Sequence, residues 1–334
     1  MYCGIDLANK ASAVCVRTTE RIVVECECET DEDGFRQALR DYDKLLILIE
    51  ASPLSEWVAN VLESLGHEVK VIDPRRASAL IRTKKKTDRL DARHLARMAQ
   101  TDWYHEVHRK SPEARMLRSH LQARRGIVDA RKGQLLRIRG LLRAHGIKVG
   151  AVSAGKFASR VRELVRMRCE ALGVVIEPLL DAWQALREAE AALTKTLKSQ
   201  VKAHPTCRLL MSAPGVGVIT AAGYVATVDD PTRFEDSAQV PAYFGLVPRV
   251  YQTGETLYRG RITKEGDSLM RTLMVESGHV LLTRCRKDSA LKQWGEALRE
   301  RKGPGKARVA VARKLSMILH QMWLKNEPYQ AFST

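Results

Sequence analysis

The sequence predicts an α/β plus α protein: a mixed sheet with helices at the N-terminus, one long helical arm, and a mostly helical remainder. Three observations carry this. Short apolar runs alternate with helical patterns over the first hundred residues. Leu121, Val128, Leu135 and Leu142 then recur every seven residues. Beyond His204 and Pro205, turns rich in Gly and Pro separate further helical stretches.

Residues 2–8 and 12–18 are short β-rich runs joined by an Asn-Lys turn. Residues 21–29 alternate apolar or Cys with acidic side chains, as a half-exposed strand does. A short amphipathic helix over 34–42 precedes an apolar strand over 44–50, whose run of Leu and Ile marks it as buried. Residues 53–65 suit a helix, with Pro53 in its first turn and Gly66 past its end. A strand over 67–73 stops at Pro74, and 87–100 is helical. Together these place a mixed sheet with packed helices at residues 1–108.

Residues 111–145 form one long helical pattern, in which Leu117 and Ile138 fill the heptad stripe. Residues 176–201 repeat it with Leu179, Trp183, Leu186, Leu193 and Leu197. The two can pair as an antiparallel coiled coil or form a helical dimer interface. The link over 146–156 reads as a flexible turn. These segments make a basic helical region at 109–205, and 206–334 is a third, mostly helical domain. In it, Pro214-Gly215-Val216-Gly217 is either a helix-hairpin-helix turn offering backbone N–H groups to phosphate or a plain interhelical turn. Residues 254–266 read as a polar loop. Helices are predicted near 269–283, 290–299 and 309–324, with a basic turn between the last two.

The chain holds 56 Lys and Arg against 39 Asp and Glu, a formal +17. That charge is uneven: residues 1–74 net −8, 75–168 net +19 and 169–334 net +6. Like charges repel in a compact state, so the middle third calls for a polyanion, the alternative being a solvated helix surface. Arg dominates its bases, and a planar guanidinium fork matches phosphate oxygens. Aromatic residues are only 5%, which argues against a single-strand binder built on stacking. A hydrophobic content of 45% excludes global disorder. The apolar runs are too short to span a bilayer, and no charged-then-apolar leader opens the chain. Seven cysteines without a C-x-x-C pair favour a reducing cytoplasm, with neither a disulfide framework nor a cysteine-based zinc site.

Four acidic residues stand out by position. Asp6 lies in the first strand and Glu50 ends the apolar strand, while Asp88 and Asp91, three apart, share one helix face. A carboxylate at the end of an apolar strand is costly unless a cation pairs with it, and Mg2+ is hard and oxygen-loving. Each alone is an ordinary cap, turn or solvated pair; the four together point to a metal site. Lys84, Lys85 and Lys86 run directly before Thr87, either as a solvated loop or as phosphate contacts beside the metal.

Gly4-Ile5-Asp6, Ile49-Glu50-Ala51 and Lys86-Thr87-Asp88-Arg89-Leu90-Asp91-Ala92-Arg93 resemble the DEDD transposases of bacterial insertion sequences, insertion sequence family 110, with the related Piv DNA invertases. The resemblance covers nearly the whole chain. It implies an N-terminal domain similar to RuvC Holliday-junction resolvases with an RNase H fold, a long helical coiled-coil linker and a C-terminal transposase domain. It also implies Asp6, Glu50, Asp88 and Asp91 as catalytic ligands of Mg2+.

A second stretch of the same resemblance is Gly245-Leu246-Val247-Pro248-Arg249, then Thr253-Gly254, then Gly260 to Asp267 and Arg271. By itself it is a Gly-rich polar segment flanked by Arg249, Arg259, Arg261 and Lys264, suited to a phosphate or to an ordinary surface loop. Members of the family carry a serine before that glycine, which attacks DNA to form a covalent phosphoserine link. Thr253 stands there instead, and its β-methyl restricts χ1 and crowds in-line attack. Thr253 is then the working nucleophile, or the site is impaired, or another hydroxyl such as Thr256 serves.

The resemblance further implies an enzyme that inserts, excises or inverts double-stranded DNA, donor and target, guided by a structured non-coding bridge RNA. It implies a homo-oligomer as well, dimers pairing into a tetramer with sites shared across protomers. The basic middle, including Arg118, Arg124, Arg125 and Arg131, would grip either RNA or duplex DNA, with Arg249, Arg261 and Lys264 at the hydroxyl loop. The rival readings are a Mg-dependent Holliday-junction-type endonuclease, which needs no hydroxyl, and a non-catalytic nucleic-acid scaffold.

Overall fold

The computed structural model describes residues 1–73, 87–253 and 256–332, without the side chains of 252–253, 256–257 and 259. The chain divides into two compact units, residues 1–110 and 111–334.

The first unit is built on a five-stranded sheet in the order β3-β2-β1-β4-β5. Strands β1 (Tyr2–Asp6), β2 (Ala11–Arg17) and β3 (Ile22–Glu29) form an antiparallel meander. Strands β4 (Leu46–Glu50) and β5 (Glu68–Ile72) join β1 in parallel. Helices α1 (Glu32–Leu39) and α2 (Ser55–Ser64) supply the crossovers.

Strand alternation sends Cys3, Ile5, Ile47, Ile49, Val69 and Val71 to one face. There they pack with Phe35 and Leu39 of α1 and Val58 and Leu62 of α2. The other face receives α3 (Asp88–Thr101), whose Leu95, Met98 and Ala99 cover Leu48 and Ile72. Central strands covered on both sides read as unbroken apolar runs, which is why β4 is Leu-Ile-Leu-Ile before its glutamate.

The second unit begins with α4 (Pro112–Ala144), capped by the Ser111 hydroxyl, which accepts from the Ala114 amide at 3.1 Å. Helices α5 (Phe157–Arg168) and α6 (Gly173–Ala203) follow. α4 and α6 pack antiparallel: His120 of α4 donates to the Leu193 carbonyl (2.7 Å), and Gln134, further along α4, donates to the earlier Leu179 carbonyl (3.2 Å). Helices α7 (Pro205–Leu210), α8 (Val218–Val228) and α9 (Gln239–Tyr243) lead to the hairpin β6 (Pro248–Thr253) and β7 (Thr256–Ile262). The chain closes with α10 (Ser268–Thr283), α11 (Ala290–Lys302) and α12 (Pro304–Lys325).

Two cores anchor the α4–α6 pair. At one end Leu117 and Leu121 meet Leu197 and Val201 in the large core shared with α8, α10 and α12. At the other, Ile138 and Leu142 pack with Leu180 and Trp183, closed by Phe157 and Val161 of α5.

Three details depart from the sequence reading. Leu135 is only half-buried, and Ile138 takes the inward position, because a 3.6-residue helix drifts against a seven-residue repeat. The segment read as a polar loop contains strand β7, which pairs antiparallel with β6 before it, Tyr258 opposite Tyr251. Helix α5 stands just past the supposed flexible turn, with Phe157, Val161, Leu164 and Val165 buried at helical spacing. Among the described residues, no helix is long and apolar enough to cross a membrane.

Candidate functional site

Asp6 is the last residue of β1 and Glu50 the last of β4. These strands are parallel neighbours with Ile5 opposite Ile49, so the two half-buried carboxylates leave the sheet side by side at its carboxyl edge. Helix α3 brings the other pair. The Thr87 hydroxyl caps it, accepting from the Leu90 amide, and Asp88 and Asp91 lie in its first turn, where the helix dipole favours negative charge.

α3 runs antiparallel to β1, its later residues Leu95 to Ala99 lying towards Tyr2 and Leu46 at the strand starts. A close backbone approach makes this possible: a Cβ on Gly4 would sit 2.2 Å from the Ala92 carbonyl oxygen and 2.3 Å from the Ala96 nitrogen. Two ties to β3 fix the helix sideways. Arg93 holds both oxygens of Glu25, and Arg89 lies 3.9 Å from Glu27, whose row continues through Ala13 to Asp6. The Arg93 hydrogen bond draws the Glu25 carboxyl below its ordinary range, burial opposing it.

The first turn of α3 therefore lies at the sheet edge that carries Asp6 and Glu50. The four acidic positions share one edge without closing into a cage: among the described residues, no three His, Cys, Asp or Glu side chains stand close enough to hold a metal ion. Lys84, Lys85 and Lys86 lie outside the described residues.

In the second unit, the β6–β7 hairpin rises from a locked base. Gly245 has φ +67°, and a Cβ there would lie 2.0 Å from the Glu265 carbonyl oxygen. Arg271 of α10 donates to the Phe244 and Glu265 carbonyls at 3.1 and 3.2 Å, tying both ends of the hairpin together. Asp267 caps α10 and also pairs with Arg118 of α4. Arg249 donates to the Thr263 carbonyl at 3.3 Å, and Arg249, Arg261 and Lys264 are exposed. Thr253 ends β6 by its backbone; its side chain and that of Thr256 lie outside the described residues.

The arginines of α4 have distinct surroundings. Arg125 is on the surface, 2.7 Å from Asp129 one turn on. Arg124 and Arg131 are half-buried, both held by Glu190 of α6 at 3.4 and 2.6 Å, and Arg124 also donates to the Thr194 hydroxyl at 2.9 Å. These two arginines floor a cleft of about 750 Å³ whose wall is α6, with Arg187, Lys195, Lys198 and Lys202 on it. Six cations thus face one carboxylate.

A more apolar hollow of about 560 Å³ shares Thr194 and Lys198 with this cleft and reaches Gly215 and Gly217. Gly217 is the N-cap of α8, so the positive end of a helix lies on the same track. The sequence reading did not single out Arg187, Lys195, Lys198 or Lys202. Their signal was the spacing of the three lysines, which puts them on one helix face.

Two family models match the chain: a DEDD transposase model of the IS110 type over residues 3–147, and the model described as "Transposase IS116/IS110/IS902 family" over residues 207–294. A Pseudomonas aeruginosa protein described as "Probable family 20 transposase" is 28% identical over 98% of both chains. The transposase for insertion sequence element IS1111A of Coxiella burnetii is 30% identical over 80% of this chain and 74% of its own. The transposase for insertion sequence element IS1328 of Yersinia enterocolitica is 24% identical over 82% of each.

Proposed function

The chain belongs to the IS110 family of DEDD insertion-sequence transposases, and from that premise we propose that it cuts and rejoins double-stranded DNA through a covalent link to the Thr253 hydroxyl, with magnesium held by Asp6, Glu50, Asp88 and Asp91. The observation that carries the reading is the carboxylate edge. Asp6 and Glu50 end adjacent parallel strands, and α3 sets Asp88 and Asp91 over the same edge.

A transposase has DNA as its substrate, and the DEDD family typically uses a divalent metal. The donor set fits such an ion by its chemistry, since all four residues offer hard oxygen ligands. When bound, the ion would stabilise charge on the phosphate oxygens at the cut. The chain's own residues hold and orient: the α3 cap and the Arg93–Glu25 tie fix the helix that carries two of the four carboxylates. A phosphate ester to Thr253 would conserve the energy of the broken phosphodiester, so the strand is resealed without ATP.

The sheet order and the helix on its second face support a RuvC-like RNase H fold for the first unit, and the α4–α6 pair supports a coiled-coil arm. The cationic cleft along α6 would take the sugar-phosphate backbone of a non-coding bridge RNA from the element, leaving sequence choice to base pairing. The active assembly is a homo-oligomer, a dimer pairing into a tetramer.

The test uses the full chain, magnesium and a plasmid carrying the coding region with its flanking DNA. Protein covalently attached to DNA on a denaturing gel is the expected product, retained by Thr253→Ser and lost in Thr253→Ala and Asp6→Asn. Cutting without an adduct would replace this reading with a hydrolytic junction nuclease. RNA that co-purifies and maps beside the gene is the expected guide.

A further inference from the structure

We propose that the Tyr251–Tyr258 pair of the β6–β7 hairpin is a stacking site for one unpaired DNA base. The two tyrosines face each other across the hairpin register, with ring centroids 6.4 Å apart and ring planes 36° apart. Both are open to solvent, at 58% and 63%, and Val250 beside them is 56% exposed. Tyr224 of the same unit shows the other fate of a tyrosine: fully buried, its hydroxyl donating to the Ser316 carbonyl at 2.7 Å. An aromatic pair left in water offers a large, rigid contact face at little entropic cost.

The charge around the pair selects the occupant. Arg249, two residues before Tyr251 and so on its strand face, is exposed, as are Arg261 and Lys264 further along; Glu255, in the connecting turn, lies outside the described residues. Bases flanking an aromatic face suit a polyanion whose units carry π faces, and every nucleobase has one. Arg271, bonded to the carbonyls on both sides of the hairpin, ties together the two ends of the strands that carry the rings. A two-stranded ribbon is also narrow enough to enter a duplex groove and wedge against a base step.

The assignment to DNA rests on the recombinase reading above. Tyr251 lies two residues before Thr253 on the same strand, where that reading puts attack on a DNA strand. Cutting and exchanging strands unpairs bases next to the cut, and a stacking site there would hold one out of the duplex.

The test measures the full chain binding a short DNA duplex that carries a single 2-aminopurine, paired in one version and bulged in the other. Fluorescence reports stacking and anisotropy reports affinity. The wild type and the Tyr251→Phe/Tyr258→Phe double variant are expected to quench the bulged base and to bind the bulged duplex roughly tenfold tighter than the paired one. The Tyr251→Leu/Tyr258→Leu variant is expected to bind both alike without quenching; the phenylalanine pair, with its rings intact, separates loss of stacking from loss of fold.

Undiminished quenching by the leucine pair overturns the proposal. So does quenching seen only with a ribonucleotide version of the bulge. A changed sedimentation of the DNA-free leucine variant with quenching intact would give the face to a second copy of the chain and also overturns it. A wild type that binds both duplexes equally and without quenching overturns this inference alone, whereas one that binds neither, with its co-purifying RNA retained, overturns the recombinase reading with it.

Discussion

Asp267 shares its carboxylate between two helices: one oxygen accepts from the Met270 amide at 2.8 Å and caps α10, and the other pairs with Arg118 of α4. The side chain is only 9% exposed, so both bonds are shielded from water. Asp267→Ala removes the cap and strands Arg118, and is expected to lower stability by about 2 kcal/mol. Asp267→Asn keeps a capping oxygen and should lose about half as much. Arg118→Ala should lower the urea midpoint while leaving nucleic-acid affinity unchanged, because its guanidinium is spent on Asp267. A clear loss of affinity in that variant would show that Arg118 binds nucleic acid as well as Asp267.

The cleft along α6 makes an electrostatic prediction with two opposite signs. Lys195, Lys198 and Lys202 are exposed, so their joint replacement by Gln should not change the melting temperature. Each lost phosphate contact removes about 0.9 from the slope of log affinity against log salt, so the triple variant should flatten it by roughly 2–3. Glu190→Gln removes the one carboxylate that lines the cleft among the described residues. It should loosen Arg124 and Arg131, lowering stability, yet raise affinity at low salt. Anisotropy titrations over a salt series check both.

Gly4 is the point where α3 touches β1. An alanine there would press its methyl on the Ala92 carbonyl and the Ala96 nitrogen, backbone atoms with no rotamer to turn away. Gly4→Ala is expected to cost about 3 kcal/mol in overpacking. Activity should fall further than stability, since Asp88 and Asp91 ride on the displaced helix. Urea unfolding and the DNA adduct assay, read together, test this.

The thiols give a pH prediction. Burial pushes Cys15 and Cys28 up to about 11 and Cys207 up to about 12, and raises Cys3 well above its ordinary range. A thiolate is the reactive form, so these four should resist iodoacetamide at a pH of about 8 and label only after unfolding. A group whose folded pKa is raised contributes stability that is complete below its unfolded value, about 8.5, and is lost as pH rises. Melting temperature should therefore fall between a pH of about 8.5 and about 11, and a flat profile would contradict it.

The sheet was legible because its signals are local. The Leu-Ile-Leu-Ile run of β4 and the half-exposed alternation of β3 announce their own burial. Glu50 could be read in the same way, as the end of its strand, and Asp88 and Asp91 as one helix face; Asp6 was expected inside a strand running to residue 8, and the strand ends at Asp6 itself. The β6–β7 hairpin was not legible, since Tyr251, Tyr258, Arg249 and Arg261 stand in solvent and no apolar face marks its strands. The α6 cleft was hidden by distance along the chain. Lys195 and Lys198 come about seventy residues after Arg124 and Arg131, and only the antiparallel pairing of α4 with α6 makes them neighbours. A low aromatic content likewise masked the tyrosine pair, because an average over the chain says nothing of where rings gather.

The α4–α6 pair is anchored at both ends, by Leu121 in one core and by Leu142 in the other. A helix rises about 1.5 Å per residue, so these anchors stand roughly 30 Å apart, close to one turn of duplex DNA at about 34 Å. The pair cannot stretch or shorten without breaking a core, so it acts as a ruler. A substitution that empties either core, at Leu121 or at Leu142, would free that end of the pair and leave the other anchored.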